Sequence, residues 1–173
     1  MPRELSDTTR KQRKRGIIDL SKPEEYLPWL TCRECMHGSG RRHSIPDLKY
    51  PTRTIHLMSD LELSVYFMLR KNPKVQELFE QVPLELRLTQ FICEELNIYH
   101  PSNPRTKKPI VMTTDFVAYV WENKALVPKA YAVKPFCELE DRRVYSKLLI
   151  EKRYWEQKGI EWAVITEKNL DNT

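Results

Sequence analysis

The chain has 173 residues, 40% hydrophobic and 31% charged, which suffices for one domain with its own core and not for two large ones. Only 4 glycines against 12 prolines argue against glycine-rich nucleotide loops. No apolar run is long enough to span a bilayer, and the polar start lacks the apolar stretch of a secretory signal, so the expected location is the cytoplasm and no membrane partner is expected.

The formal net charge is +5, and much of the excess lies in residues 1–22, in Arg3, Arg10, Lys11, Arg13, Lys14, Arg15 and Lys22. This segment has no hydrophobic periodicity and reads as a flexible basic arm ahead of a domain over 23–173. A basic arm suits nucleic acid, because each neutralised phosphate releases counterions. A merely solvated tail has the same composition.

Tyr26-Leu27-Pro28-Trp29-Leu30 supplies the first apolar anchors. Cys32-Arg33-Glu34-Cys35, with His37 and His43 behind it, has the residue types of a zinc site. The four are crowded too closely for a standard finger, and free thiols in a loop are the plainer reading. Up to residue 58 the chain is irregular, with turns at Gly38, Gly40, Pro46 and Pro51.

A helix is predicted from Ser59 to about Asn72, with Val65, Met68 and Leu69 at helical spacing and Pro73 as its stop. A strand follows over Val75–Val82, then a helix over Leu84–Leu96. Residues 99–109 form a loop with three prolines and the basic run Arg105-Thr106-Lys107-Lys108, a further place for DNA contact. Strands over Val111–Val120 and Lys129–Lys134 are joined near Glu122-Asn123-Lys124 as an antiparallel hairpin. A long charged helix runs from Glu140 to Lys158 and closes at Gly159, and a last strand covers Trp162–Thr166. The order predicts a mixed α/β sheet with helices packed on it.

Four residues sit where a purely structural pattern would not place them. Glu62 shares a helix side with Val65, Tyr66 and Leu69, and a carboxylate among apolar neighbours is costly unless it is paired or binds metal. The structural alternative is a capping box, Ser59-Asp60-Leu61-Glu62. Asp115 interrupts an apolar strand, where Asp is disfavoured, and an edge position or a bulge would also account for it. Lys134 ends the next strand of the hairpin. An acid in one strand and a lysine in its neighbour suit metal-dependent phosphodiester hydrolysis, with the acid holding Mg2+ and the lysine offsetting developing charge. Glu151 lies in the long helix at helical spacing from Val144, Leu148 and Trp155, placed either toward that site or in an ordinary ion pair.

These residues fall within ordered blocks that resemble the TnsA endonuclease family of heteromeric cut-and-paste transposons. The blocks include Tyr26-Leu27-Pro28-Trp29-Leu30-Thr31, Gly40-Arg41-Arg42-His43, Leu57-Met58-Ser59-Asp60-Leu61-Glu62-Leu63, Glu80-Gln81-Val82-Pro83-Leu84, Thr113-Thr114-Asp115-Phe116, Val133-Lys134-Pro135 and Glu151-Lys152-Arg153-Tyr154-Trp155. The resemblance implies a restriction-endonuclease-like α/β fold with a central mixed sheet flanked by helices. It implies a nuclease that cuts the 5′ strands at transposon ends beside the transposase TnsB. Longer members continue into a C-terminal domain that contacts the AAA+ regulator TnsC, and as this chain ends at Thr173, TnsC is a weaker expectation as partner than TnsB. It also implies Glu62 and Asp115 as metal carboxylates for Mg2+, with Mn2+ as a substitute. The Val133 carbonyl is a third ligand, Lys134 the catalytic lysine and Glu151 an accessory acid. Arg13, Lys14, Arg15, Arg41 and Arg42 are the expected DNA contacts. Where the best-known family pattern has Gln two residues before the lysine, this chain has Ala132. That departure leaves open a catalytically weak or inactive nuclease-fold subunit that binds DNA or supports assembly.

Overall fold

A computed structural model describes residues 14–34 and 40–170. The elements, in chain order, are a 3-10 turn at Pro23–Glu25, β1 (His43–Pro46), β2 (Thr54–Leu57), α1 (Asp60–Lys71), β3 (Val75–Pro83), α2 (Leu86–Glu95), β4 (Thr113–Glu122), β5 (Ala125–Val133), a 3-10 turn at Phe136–Glu138, α3 (Arg142–Gln157), β6 (Glu161–Ile165) and α4 (Glu167–Leu170). The main sheet has the order β3-β4-β5-β6, antiparallel except for the parallel β5–β6 pair, and β1 and β2 form a separate antiparallel hairpin. The architecture is mixed α/β, as the element order predicted. Among the described residues no helix is long and apolar enough to cross a membrane.

Helices cover both faces of the sheet. On one, Ile92 of α2 and Ile150, Tyr154 and Trp155 of α3 pack with Phe79, Val82 and Val117. On the other, Val65, Tyr66 and Leu69 of α1 and Ile55 and Leu57 of β2 pack with Leu78 and Phe116. Full burial of each such side chain contributes about 1.5–3 kcal/mol. α1 starts where the Ser59 hydroxyl accepts from Glu62 N at 3.0 Å and stops before Pro73. β4 and β5 meet at Asn123 (φ 49°) and Lys124 (φ 64°), two left-handed residues as a two-residue hairpin requires.

Two expectations change. β5 begins at Ala125 rather than Lys129. Pro128 hid its first half, yet β6 pairs with β5 only from Lys129 on, so Pro128 stands where β5 is still an edge. The stretch read as irregular holds the β1–β2 hairpin, whose strands have four residues each and whose prolines at 46 and 51 mimic loop composition.

Within the segment expected as an arm, residues 14–22 lie against the domain. Gly16 N donates to Leu27 O at 2.7 Å, Ile18 packs on the α2–α3 core, and Arg15 pairs with Glu34 at 2.6 Å. Residues 1–13 lie outside the described residues.

A slip in the pleat positions the site. Phe79 and Val82 are three residues apart yet join the same core, which strict alternation forbids. The slip sits at Gln81, a non-glycine residue at φ 48°. Its carbonyl accepts from Trp29 N at 3.1 Å, and the Glu80 carbonyl accepts from the Tyr26 hydroxyl at 2.9 Å. The apolar anchor at 26–30 thus braces this bend. β4 slips alongside: Thr114 bonds to α3, and Val117, three residues on, packs with the same helix.

Candidate active site

The β4–β5 ladder is paired from Glu122↔Ala125 to Phe116↔Tyr131 and goes no further. Beyond it the strands part at Asp115. Val133 N, which no longer has a strand partner on β4, donates to Asp115 Oδ2 at 2.7 Å. Asp115 is therefore neither an edge residue nor an accident of the strand. It closes the point where the sheet opens. The opening is set by β5 turning to β6, since Lys134 N donates to Ile165 O at 3.1 Å.

Lys134 leans back into this opening. Its Nζ donates to Asp115 Oδ2 at 3.1 Å and to Val133 O at 2.8 Å. Glu62 comes from the first turn of α1 and is buried, its Oε2 accepting from Met58 N at 2.8 Å and from Gln81 Nε2 at 3.3 Å. Half of the capping box is therefore present. Ser59 caps Glu62 N, but the carboxylate reaches the amide of Met58 rather than that of the N-cap residue. Glu151, from α3, is buried and makes no ion pair with any described residue. Its Oε1 accepts from the Thr114 hydroxyl at 2.8 Å and from Trp162 Nε1 at 3.0 Å, while Trp155 Nε1 donates to Thr114 Oγ1 at 2.7 Å. It faces inward; the ion-pair alternative is absent.

The charges are unbalanced. Burial, and next the charge of Asp115, push the Glu62 carboxyl well above the ordinary carboxylate range. The same two causes, in that order, raise Glu151 to about 7. Burial works against the charge on Lys134, but Asp115, Glu151 and Glu62 outweigh it and raise its pKa. Three acids thus share one ammonium. Asp115 Oδ2 and Val133 O both accept from that ammonium, so the two residues that the resemblance names as metal ligands converge on one cationic group. Among the described residues no three His, Cys, Asp or Glu side chains converge as a ready-made cage. The oxygens that could serve a cation here are the Glu62 and Asp115 carboxylates and the Val133 carbonyl.

Sequence reasoning missed Gln81 and Thr114. Both positions carried a signal: a polar pair, Glu80-Gln81, inside an apolar strand, and a threonine pair ahead of Asp115. Of the expected DNA contacts, Arg13 lies outside the described residues, Lys14 and Arg41 are exposed, Arg42 is half-buried, and Arg15 is engaged by Glu34. Gly40 sets Arg41 close to the start of α1, since a Cβ on Gly40 would lie 3.3 Å from Met58 O. Next along, His43 Nε2 is 2.7 Å from Asp60 Oδ1. Cys32 donates its thiol to His43 O and Leu57 O, a hydrogen-bonded thiol, while Cys35 and His37 lie outside the described residues.

The site is thus an opening between central strands of an α/β domain, lined by clustered acids and one lysine. The chain belongs to the TnsA-like endonuclease N-terminal family, whose model matches residues 72–167. That stretch takes in Asp115, Val133, Lys134 and Glu151, and Glu62 precedes it. The chain is 38% identical over 148 residues to the Transposon Tn7 transposition protein TnsA of Escherichia coli, an alignment covering 86% of this chain. It spans about half of that relative's length, 52%.

Proposed function

We propose that this domain is a metal-dependent DNA endonuclease of restriction-endonuclease-like fold that cuts the 5′ strands at transposon ends. The observation that carries the reading is the meeting of Glu62, Asp115, the Val133 carbonyl and Lys134 where β4 and β5 part. The proposed partners are the DNA of the transposon end, the transposase TnsB and the regulator TnsC. The transposition relative and the family description support a role in that machinery.

Glu62, Asp115 and the Val133 carbonyl would hold Mg2+ or Mn2+. A bound divalent ion supplies Lewis-acid polarisation of the phosphate and a more acidic water. The chain's own residues do the rest. Lys134, tied to Asp115 and to its neighbour's carbonyl, is aimed at charge that develops on the phosphate oxygens. Gln81 and the Met58 amide fix the Glu62 carboxylate, and Trp162 and Thr114 fix that of Glu151 as an accessory acid. Water oxygen adds to phosphorus in line, the bond from phosphorus to the 3′ oxygen breaks, and the products are a 5′-phosphate and a 3′-hydroxyl. The test is nicking of transposon-end DNA with TnsB, TnsC and Mg2+ or Mn2+. Asp115→Ala is expected to lower cutting by at least about 100-fold, the scale of losing a preorganised electrostatic contact. Equal cutting by variant and wild type would refute the site.

Ala132 favours a second reading. It is fully buried and its methyl group offers no donor beside the opening. On this reading the domain is a catalytically weak or inactive subunit that binds DNA or supports assembly. Ala132→Gln discriminates: a large gain in cutting marks a crippled site, and robust wild-type cutting excludes this reading.

A further inference from the structure

A second charged feature lies outside the acidic opening. Between the loop at 98–110 and the first turns of α3 runs a groove of about 420 Å³. Arg142, Arg143 and Lys147 line one wall, and no Asp or Glu lines either wall. On the other wall Tyr99 is wholly exposed and Ile110 41% exposed. The loop is braced rather than loose. Ile110 N donates to Pro101 O at 3.0 Å, Asn103 N to Lys108 O at 2.9 Å, and Asn103 Oδ1 accepts from Arg105 N and Thr106 N. Its tip therefore presents Arg105, Lys107 and Lys108, all exposed, in a fixed turn. His100 belongs to the bracing, its ring bonded to Thr89 Oγ1 and to Pro101 O, both at 2.9 Å.

This arrangement works against the isolated fold. Arg142 and Arg143 stand at the N-terminus of a helix, where the macrodipole disfavours cations. Arg143 and Lys147 are like charges at i,i+4, which is destabilising by a few tenths of a kcal/mol, about 0.2–0.5. None of the six cations forms an ion pair within 4 Å with a described carboxylate. Asp141, whose charge also acts on Arg143 and Lys147, spends its carboxylate on the helix cap, accepting from Arg143 N at 2.8 Å and Val144 N at 3.0 Å. An external polyanion relieves these repulsions; water does so only partly.

Both walls belong to segments that carry a residue of the acidic opening further along the chain. Along α3, Lys147 is one turn, about 6 Å, before Glu151. Along the other wall, Ile110 is five residues before Asp115, roughly 16 Å of extended chain. Each span is shorter than one turn of duplex DNA, about 34 Å. We infer that this groove is the backbone track for duplex DNA beside the cut, with Arg142, Arg143, Lys147 and the loop tip on successive phosphates. It rests on the nuclease reading for the position of the cut, and the charge pattern stands independently of it.

The experiment is fluorescence-anisotropy titration of a labelled duplex with the full chain in EDTA, at several salt concentrations. Cleavage plays no part in it. Arg143→Glu with Lys147→Glu is compared with Lys71→Glu with Lys74→Glu, an equal charge change at exposed positions at the C-terminal end of α1 and in the turn after it. The groove variant is expected to bind at least tenfold more weakly. The slope of log K against log salt should shrink by about 1.8, two phosphates at about 0.9 each. The control pair should change affinity less than about twofold. Should reversal disturb folding, Arg143→Ala with Lys147→Ala carries the same expectation at smaller size. A groove variant that binds like wild type, or a control that loses as much, overturns the inference. If that variant keeps DNA but loses a protein partner, the face belongs to an acidic protein segment instead. The outcome is separable from the active-site test: Asp115→Ala can leave cutting intact while the groove variant loses DNA, and the reverse.

Discussion

Two groups of buried charge lie on this sheet, and they are built on opposite rules. Behind β3, Arg53 bonds Asp47 at 2.9 Å and Glu80, and Arg70 bonds Asp47 at 2.6 Å, so two acids meet two guanidinium groups. At the opening of β4 and β5, Glu62, Asp115 and Glu151 share Lys134 alone. Glu80 and Glu151 both rise to about 7, each chiefly through burial, but Arg53 pulls Glu80 down while Asp115 pushes Glu151 further up. The first group matches two acids with two guanidinium groups and ties the β1–β2 hairpin to the sheet, although Arg53 Nε and Arg70 Nε are buried without a hydrogen-bond partner. The second has too little positive charge, and that deficit is what favours the proposed cation site over a structural cluster of the same residue types.

The largest effect expected from breaking this contrast is on stability. Arg53→Met leaves Glu80 without its cation and Asp47 with Arg70 alone, and removal of one member of a buried ionic group costs about 3–5 kcal/mol. Denaturant unfolding measures it. A loss under about 1 kcal/mol would mean that water reaches the cluster and that its charges are not a structural unit. Metal affinity should be untouched in whatever fraction remains folded.

The two groups also differed in how far the chain alone revealed them. Glu62 was legible because a carboxylate at helical spacing with Val65, Tyr66 and Leu69 is anomalous, and Asp115 because a strand interior rejects it. The paired group was silent. Asp47 and Arg53 fall in a proline-bounded stretch where charged residues are ordinary, and only the fold brings their side chains to Glu80. The β1–β2 hairpin was missed for the same reason, since strands of four residues give alternation no room to register. What the sequence could not carry was the slip at Gln81, which depends on Tyr26 and Trp29 reaching carbonyls more than fifty residues on. Family resemblance alone supplied a role for Val133, whereas the hairpin spacing had already suggested one for Lys134.

A smaller effect sharpens the contrast through pH. The Glu151 carboxyl ordinarily titrates near 4.5 and is raised to about 7 in the fold. Between those values the folded chain keeps a proton that the unfolded chain has released. This contribution to stability is therefore complete below about 4.5 and is lost as pH rises through about 7. In EDTA, denaturant midpoints should fall across pH 5 to 8, and Glu151→Gln should fall less steeply. Adding Mn2+ at pH 8 should restore wild type, because a cation offsets the acids that burial and mutual repulsion had penalised. Equal slopes for variant and wild type would mean that Glu151 is not held protonated.

The smallest effect isolates the bend itself. Gln81 spends backbone strain of about 1–2 kcal/mol, the usual cost of a left-handed non-glycine residue, to place its amide 3.3 Å from Glu62 Oε2. Its own Oε1 accepts from the Thr113 hydroxyl at 3.1 Å, so it links the acid on α1 to the strand that carries Asp115. Gln81→Gly removes the strain and the link together. Stability should then shift by less than about 1 kcal/mol, because relief of strain and loss of a hydrogen bond act in opposite directions. Mn2+ affinity, read by titration calorimetry, should fall about tenfold, the lower end of what losing an outer partner of a metal ligand costs. That is the reverse of the Arg53→Met outcome. Unchanged affinity in Gln81→Gly would leave the left-handed residue as a turn for the benefit of Tyr26 and Trp29, with Glu62 held by the Met58 amide alone.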